Sequence, residues 1–207
     1  MQIIHAKQVL TPNGWQSDLE VSIDESGRIA SVGPQVRTPT HRVALLLPAP
    51  LNLHSHAFQR AMAGLTEARG PDPRDSFWSW RRLMYKFLDQ LTPDHVEAIA
   101  ALVFMEMLEA GYGALAEFHY LHHDVGGIPF ANLSEMSERI VAAAMTSGIG
   151  LTLLPVYYQF GGCDLRPLIG GQQRFGNDPD RFLRLHEGAL AAAAAGPDDF
   201  NAGMAPH

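Results

Sequence analysis

From residue 43 onward, strand-length apolar runs alternate with stretches whose apolar residues recur at helical spacing, and this alternation limits the fold more than any other feature of the chain. The first run, Val43-Ala44-Leu45-Leu46-Leu47, continues through Pro48 and Pro50 to Leu51-Asn52-Leu53-His54 and reads as a strand buried on both faces. Asp75 to Gln90 then places Phe77, Trp80, Leu83, Met84, Phe87 and Leu88 at helical intervals. Thr92 is a good N-cap with Pro93 at the first helical position, and the helix they open runs to Gly111. A strand follows over 114–120, then a helix from Glu135 to Ser147, capped by Ser134 and ended by Gly148. Leu151 to Tyr158 is the next strand, and Phe160 to Asn177, rich in glycine and without periodicity, reads as a long loop. Asp178 and Pro179 open a helix over 180–195, and a last strand spans Phe200 to His207.

Crossovers of this length return the chain to the same end of the sheet, so the four strands pair in parallel and the class is α/β. The series predicts the first four strands of a (β/α)8 TIM barrel, a fold of typically ~250 residues, with the remainder expected beyond His207. An open doubly wound sheet is the competing architecture. Gly161-Gly162 and Gly170-Gly171 follow no strand-turn-helix pattern, so a nucleotide site is not expected. Ahead of the series, residues 1–47 alternate apolar and polar positions around Thr11-Pro12-Asn13-Gly14 and Asp24-Glu25-Ser26-Gly27, the pattern of a small β-sandwich domain. The expected domains are therefore 1–47 and 48–207.

A net charge of −7 gives no electrostatic reason to expect nucleic acid or an anionic membrane as partner. The chain has no signal-like start and no run near the ~18 apolar residues of a span, so a cytoplasmic location is the default expectation. Homodimer formation stays open. Cys163 is the single cysteine, which rules out an internal disulfide and leaves histidines and carboxylates as metal ligands. It has no neighbouring His to activate it as a nucleophile.

Ten histidines are available, and His54-Ser55-His56 is their most suggestive arrangement. Side chains at i and i+2 of a strand point the same way, so both imidazoles can face one cation. About 0.5 such pairs are expected by chance at this histidine content, so the position matters more than the motif. This pair ends the first strand of a β/α series, the rim where such barrels carry their sites. His119, His122 and His123 with Asp124 also have metal-binding chemistry, but their place at a strand end and in a loop predicts exposed loop histidines. Glu117 and His119 share one face of their strand while Phe118 and Tyr120 take the other, and the sequence leaves open which face is inward. Trp78 and Trp80 read as helix packing, although they could line a site mouth.

The stretch Leu51-Asn52-Leu53-His54-Ser55-His56-Ala57-Phe58-Gln59-Arg60-Ala61-Met62-Ala63-Gly64 is similar to the first-strand motif of the amidohydrolase superfamily, and within it resembles the formimidoylglutamate deiminases of histidine breakdown. Asp75-Ser76-Phe77-Trp78-Ser79-Trp80, 116–124, 150–156 and Ala205-Pro206-His207 resemble that family in the same order. The resemblance implies an amidohydrolase-type enzyme with one zinc ion that hydrolyses N-formimino-L-glutamate to N-formyl-L-glutamate and ammonia. It implies His54 and His56 as metal ligands and Gln59, Tyr120 and His207 as substrate contacts. The family's other ligands, its catalytic acid and base and an arginine three residues past His207 would lie beyond this chain, so the catalytic residues stay unknown and the 207 residues are expected to be inactive alone. Two alternatives remain: a related deaminase acting on guanine or a similar heterocycle, and a non-catalytic metal-binding fragment. Pro48-Ala49-Pro50 departs from the family's usual Pro-Gly and would be strained if position 49 required a positive φ.

Overall fold

A computed structural model describes residues 1–66 and 76–207, which form two compact units, Met1–Ala49 and Pro50–His207. Asp75, the start of the first expected helix and of one family-like motif, lies outside the described residues.

The first unit is one four-stranded sheet. β1 (Gln2–Thr11) and β2 (Gly14–Ile23) form a hairpin in which Gly14 takes a φ of +90°, a value that costs glycine little. β3 (Ile29–Pro34) adds antiparallel to β2, and β4 (His41–Leu46) adds parallel to β1, giving the order β3-β2-β1-β4. Ile3, Ala6, Val9 and Val21 are buried, and alternation puts Ile3 and Val9 on one face of the sheet and Ala6 and Val21 on the other. Glu20 is buried with them because Arg37 satisfies it: Oε1 accepts from Nε at 2.7 Å, and Oε2 accepts the Val36 and Arg37 backbone N–H groups. Among the described residues this unit has a single sheet layer.

One expected element is divided. The run from Val43 to His54 is not one strand buried on both faces, because β4 belongs to the first unit and β5 (Leu51–Ser55) opens the second. Pro48 and Pro50, which have no N–H to donate to a ladder, lie between them. Leu45 and Leu47 are each about half exposed. Ala49 is not among the residues with positive φ, so the missing glycine costs nothing there.

The second unit is built on a parallel sheet of β5, β6 (Ala114–His119), β7 (Gly150–Tyr157) and β8 (Asn201–Ala202). The last expected strand is two short pieces, since β9 (Ala205–Pro206) resumes the pairing with β7 after a break at Gly203-Met204. Among the described residues four α-helices connect or flank the strands: α1 (Phe77–Leu88), α2 (Pro93–Glu109), α3 (Glu135–Ser147) and α4 (Pro179–Ala194). The Thr92 and Asp178 side chains accept the His95 and Arg181 N–H groups, as N-caps should. Ser134 departs from its expected role: its hydroxyl lies within hydrogen-bond distance of Asn132 Oδ1 and Glu138 Oε1 and makes no cap bond. Val96, Ala100 and Phe104 of α2 join Met136, Ile140 and Ala144 of α3 in the core with Leu115, Leu151 and Leu153 of the sheet. Among the described residues no helix is long and apolar enough to cross a membrane.

Candidate active site

The pairing of β5 with β6 is irregular in a way that sets the site. Leu51 pairs with Ala114 and Asn52 with Leu115, but Ser55 pairs with Glu117, so β5 spends one extra residue over 53–54. Such a bulge reverses the alternation of every side chain after it. Before it, Asn52 points toward the helices and its amide meets Met107 Sδ of α2 at 3.5 Å. After it, Ser55 takes the buried side with Glu117, and His54 and His56 emerge on the opposite face. There His54 stacks on Phe118 with ring centroids 4.6 Å apart, and His56 meets Tyr120 edge to face at 5.3 Å. The face of β6 left open by the sequence is thus resolved: Phe118 and Tyr120 share the histidines' side, while Glu117 and His119 point away into the core.

The two imidazoles are arranged as donors to one centre. His56 Nδ1 lies 2.9 Å from the Phe118 carbonyl oxygen, which can only accept, so Nδ1 carries the proton and Nε2 presents its lone pair. That Nε2 is 2.9 Å from Nε2 of His54, a little closer than the roughly 3.3 Å that two tetrahedral zinc ligands would keep. Burial, and secondarily the neighbouring His54, lowers the basicity of His56 and keeps it in its ligand form. The pair therefore fits a cation, although no group of three or more His, Cys, Asp and Glu side chains able to hold one occurs among the described residues.

Next to His56 opens a cavity of about 240 Å³. Gln59, Tyr120 and His207 all line it, so three residues separated by up to 148 positions converge beside the histidine pair. Phe58, Trp80, Met84 and Phe175 supply its apolar wall. His207 stacks on Tyr158 with centroids 4.4 Å apart and meets Tyr120 at 5.7 Å. Its basicity is lowered first by burial and then by the charge of Arg81.

Arg81 is the residue the sequence reading missed. Its Nε donates to Tyr85 Oη at 3.0 Å, a terminal nitrogen reaches Tyr158 Oη at 3.4 Å, and the guanidinium lies over the Trp78 and Tyr85 rings at 5.7 and 5.3 Å. All these partners are neutral, and among the described residues no carboxylate pairs with it. A signal was available: Arg81 falls on the apolar stripe of α1, four residues from both Phe77 and Tyr85, where a cation has no packing role. Trp80 lines the cavity, while Trp78 is exposed.

Correction falls on the second histidine group. His119, His122 and His123 are buried, not exposed loop residues. His122 donates from Nε2 to the Val156 carbonyl at 2.9 Å, and His123 Nε2 lies 2.9 Å from Asn177 Oδ1. Burial lowers all three, His119 to about 4. The loop that carries His122 and His123 is clasped by Arg174, which is fully buried and donates to the carbonyls of Leu88, Leu91 and His123.

Residues 1–39 match the family model described as formimidoylglutamate deiminase HutF, N-terminal domain. The chain is 48% identical to an amidohydrolase from Brucella melitensis of known structure, with a TM-score of 0.91 over 100% of this chain and 46% of that one. A zinc complex of the atrazine chlorohydrolase TrzN from Arthrobacter aurescens, 19% identical, shares the fold with a TM-score of 0.76. In fold, the chain matches the N-terminal portion of an amidohydrolase-type enzyme. Within that class it resembles formimidoylglutamate deiminase: it is 46% identical to the Pseudomonas aeruginosa protein of that name over 187 residues, which is 89% of this chain. A second relative, 8-oxoguanine deaminase from the same organism, is 30% identical over 121 residues. The chain spans 41% of the deiminase and 46% of the Brucella protein.

Proposed function

We propose that these residues serve a zinc-dependent hydrolytic deimination of N-formimino-L-glutamate to N-formyl-L-glutamate and ammonia, in histidine degradation. The four β/α units form part of a (β/α)8 barrel over 48–207, and the four-stranded sheet of 1–47 is one layer of a β-sandwich. His54 and His56 supply two ligands to one zinc ion. When bound, the ion supplies Lewis acidity that makes water a nucleophile toward an amidine carbon near neutral pH.

The observation that carries this reading is the joining of the histidine pair to a cavity with a cation and neutral polar groups at its far side. Arg81 can form charge-assisted bonds to a carboxylate, and its present partners, two phenol oxygens, yield easily to a stronger acceptor. The Gln59 amide can both donate to and accept from the substrate. Tyr120 and His207 form edge-to-face walls that orient a chain of glutamate length, and the apolar wall excludes bulk water from the reacting end. The protein works without a membrane or nucleic-acid partner, in the cytoplasm.

A deaminase of a guanine-like heterocycle is the second reading, favoured by the 8-oxoguanine deaminase relative and the aromatic lining; Arg81 argues against it, because a neutral ring gives this half-buried cation no counter-charge. Ammonia release by a zinc-loaded protein carrying these 207 residues, with N-formimino-L-glutamate and 8-oxoguanine offered separately, tests the choice. Release from the heterocycle alone overturns the proposal.

A further inference from the structure

Arg81 and Tyr85 also wall a second hollow of about 540 Å³, on the outer side of α1. Arg82 and Lys86 reach it from the same helix and Arg166 from the loop after β7. Four cations of a chain with net charge −7 thus border one hollow, and no Asp or Glu lines it among the described residues. Asp164 pairs with Arg166 at 3.0 Å from outside, on an exposed stretch. The opposite wall is built closely: a Cβ on Gly171 would stand 2.6 Å from the Tyr85 ring, so only glycine lets the loop lie against α1. Gln172, buried in that wall, donates to Tyr158 Oη at 3.1 Å and so ties the outer hollow to the aromatic group of the inner cavity.

We propose that this hollow is an antechamber that binds small dicarboxylates and hands them across Arg81 to the inner cavity. The inference rests on the reading of the inner cavity as a dicarboxylate site. Arg81 is shared by both spaces, so a carboxylate bound outside has a charged partner throughout its transfer. Arg82, Lys86 and Arg166 concentrate anions at the mouth, the arrangement by which charged clefts raise association rates in a salt-dependent way. The size of the hollow suits a metabolite and not a polymer.

The full chain carrying Trp15→Phe retains only Trp78, which lines the hollow, and Trp80, which lines the cavity. Iodide quenching of their fluorescence at low, constant ionic strength reports local anion concentration, and acrylamide quenching reports access alone. Neutralising the mouth with Arg82→Gln, Lys86→Gln and Arg166→Gln together should lower iodide quenching roughly threefold, as the loss of about one kT of local potential implies, with acrylamide quenching unchanged. The charge-keeping set Arg82→Lys, Lys86→Arg and Arg166→Lys should retain it. In the parent chain, glutarate should compete with iodide. Unchanged iodide quenching on neutralisation, or glutarate that fails to compete, overturns the antechamber. Deiminase turnover is read separately, on a zinc-loaded longer protein that carries these 207 residues: an anion-dependent signal without turnover of N-formimino-L-glutamate there overturns the proposed reaction and leaves the anion site standing.

Discussion

The Ala57 N–H donates to Oε1 of Glu117 at 2.7 Å, so a carboxyl on the core side of β6 holds the backbone turn that directly follows His56. Glu117 is fully buried, and desolvation raises it to about 7 against the opposing pull of the Ser55 hydroxyl and this N–H. Glu117→Gln keeps the acceptor and the shape. Glu117→Leu orphans a buried N–H and should destabilise the chain by about 1–3 kcal/mol in urea denaturation, with the Gln variant close to the parent. Equal losses in the two variants would show that the bond does not matter.

Two residues on, His119 responds to pH in the opposite sense. Its pKa falls from 6.5 unfolded to about 4 folded, so its contribution is complete above 6.5 and is lost as pH drops toward 4, about 3 kcal/mol in all. Glu117, raised, takes up its proton between about 7 and 4.5 on the same descent, and that favours the fold. His122 and His123, also lowered, act in the same sense as His119, so stability should fall from pH 7 to 4.5 in the parent and more steeply in Glu117→Gln. Denaturation midpoints across that range decide it, and parallel curves would contradict the opposing shifts.

Zinc binding should depend on both imidazoles of the His54 and His56 pair. His54→Ala and His56→Ala should each weaken zinc binding by at least about tenfold in equilibrium dialysis. His95→Ala, far along the chain at the N-terminus of α2, should leave it unchanged.

Arg174 donates to three buried carbonyls, of which, among the described residues, only that of Leu88 also accepts a backbone N–H, from Leu91, and Arg174→Met should cost about 3 kcal/mol by removing these charge-assisted bonds. Lysine, a point charge without the guanidinium fork, should restore only part. A thermal midpoint for the Met variant within a degree or two of the parent would refute the clasp.

If Arg81 meets the substrate carboxylate, Arg81→Gln should lower kcat/KM for N-formimino-L-glutamate by about 10–100-fold, the worth of one charge-assisted bond. Turnover insensitive to this change would move the anchor elsewhere.

Much of this was legible because it rests on local rules. The caps at Thr92 and Asp178, the glycine stop at Gly148 and the parallel order of the strands all follow from residue type and spacing. The His54-Ser55-His56 pair and its convergence with Gln59, Tyr120 and His207 could be named from family-like motifs, yet their common cavity is a tertiary fact. What stayed hidden had long-range causes. Whether His119, His122 and His123 are wet or dry depends on the loop that Arg174 draws over them, 51 residues away in sequence. Arg81 acquires meaning only when α1 is laid beside Tyr158. Pro48 and Pro50 were visible, but they read as a passage within one strand when they mark the change from one unit to the next.

The extra residue in β5 makes the inner and outer sides of this site a matter of parity. Substitution at Leu53 changes a surface side chain, whereas its deletion would restore regular alternation, turn both imidazoles under the helices and bring Ser55 to the front. Loss of one codon is thus a more damaging lesion here than almost any exchange of one amino acid for another, and variants that shift length at this point should be read as inversions.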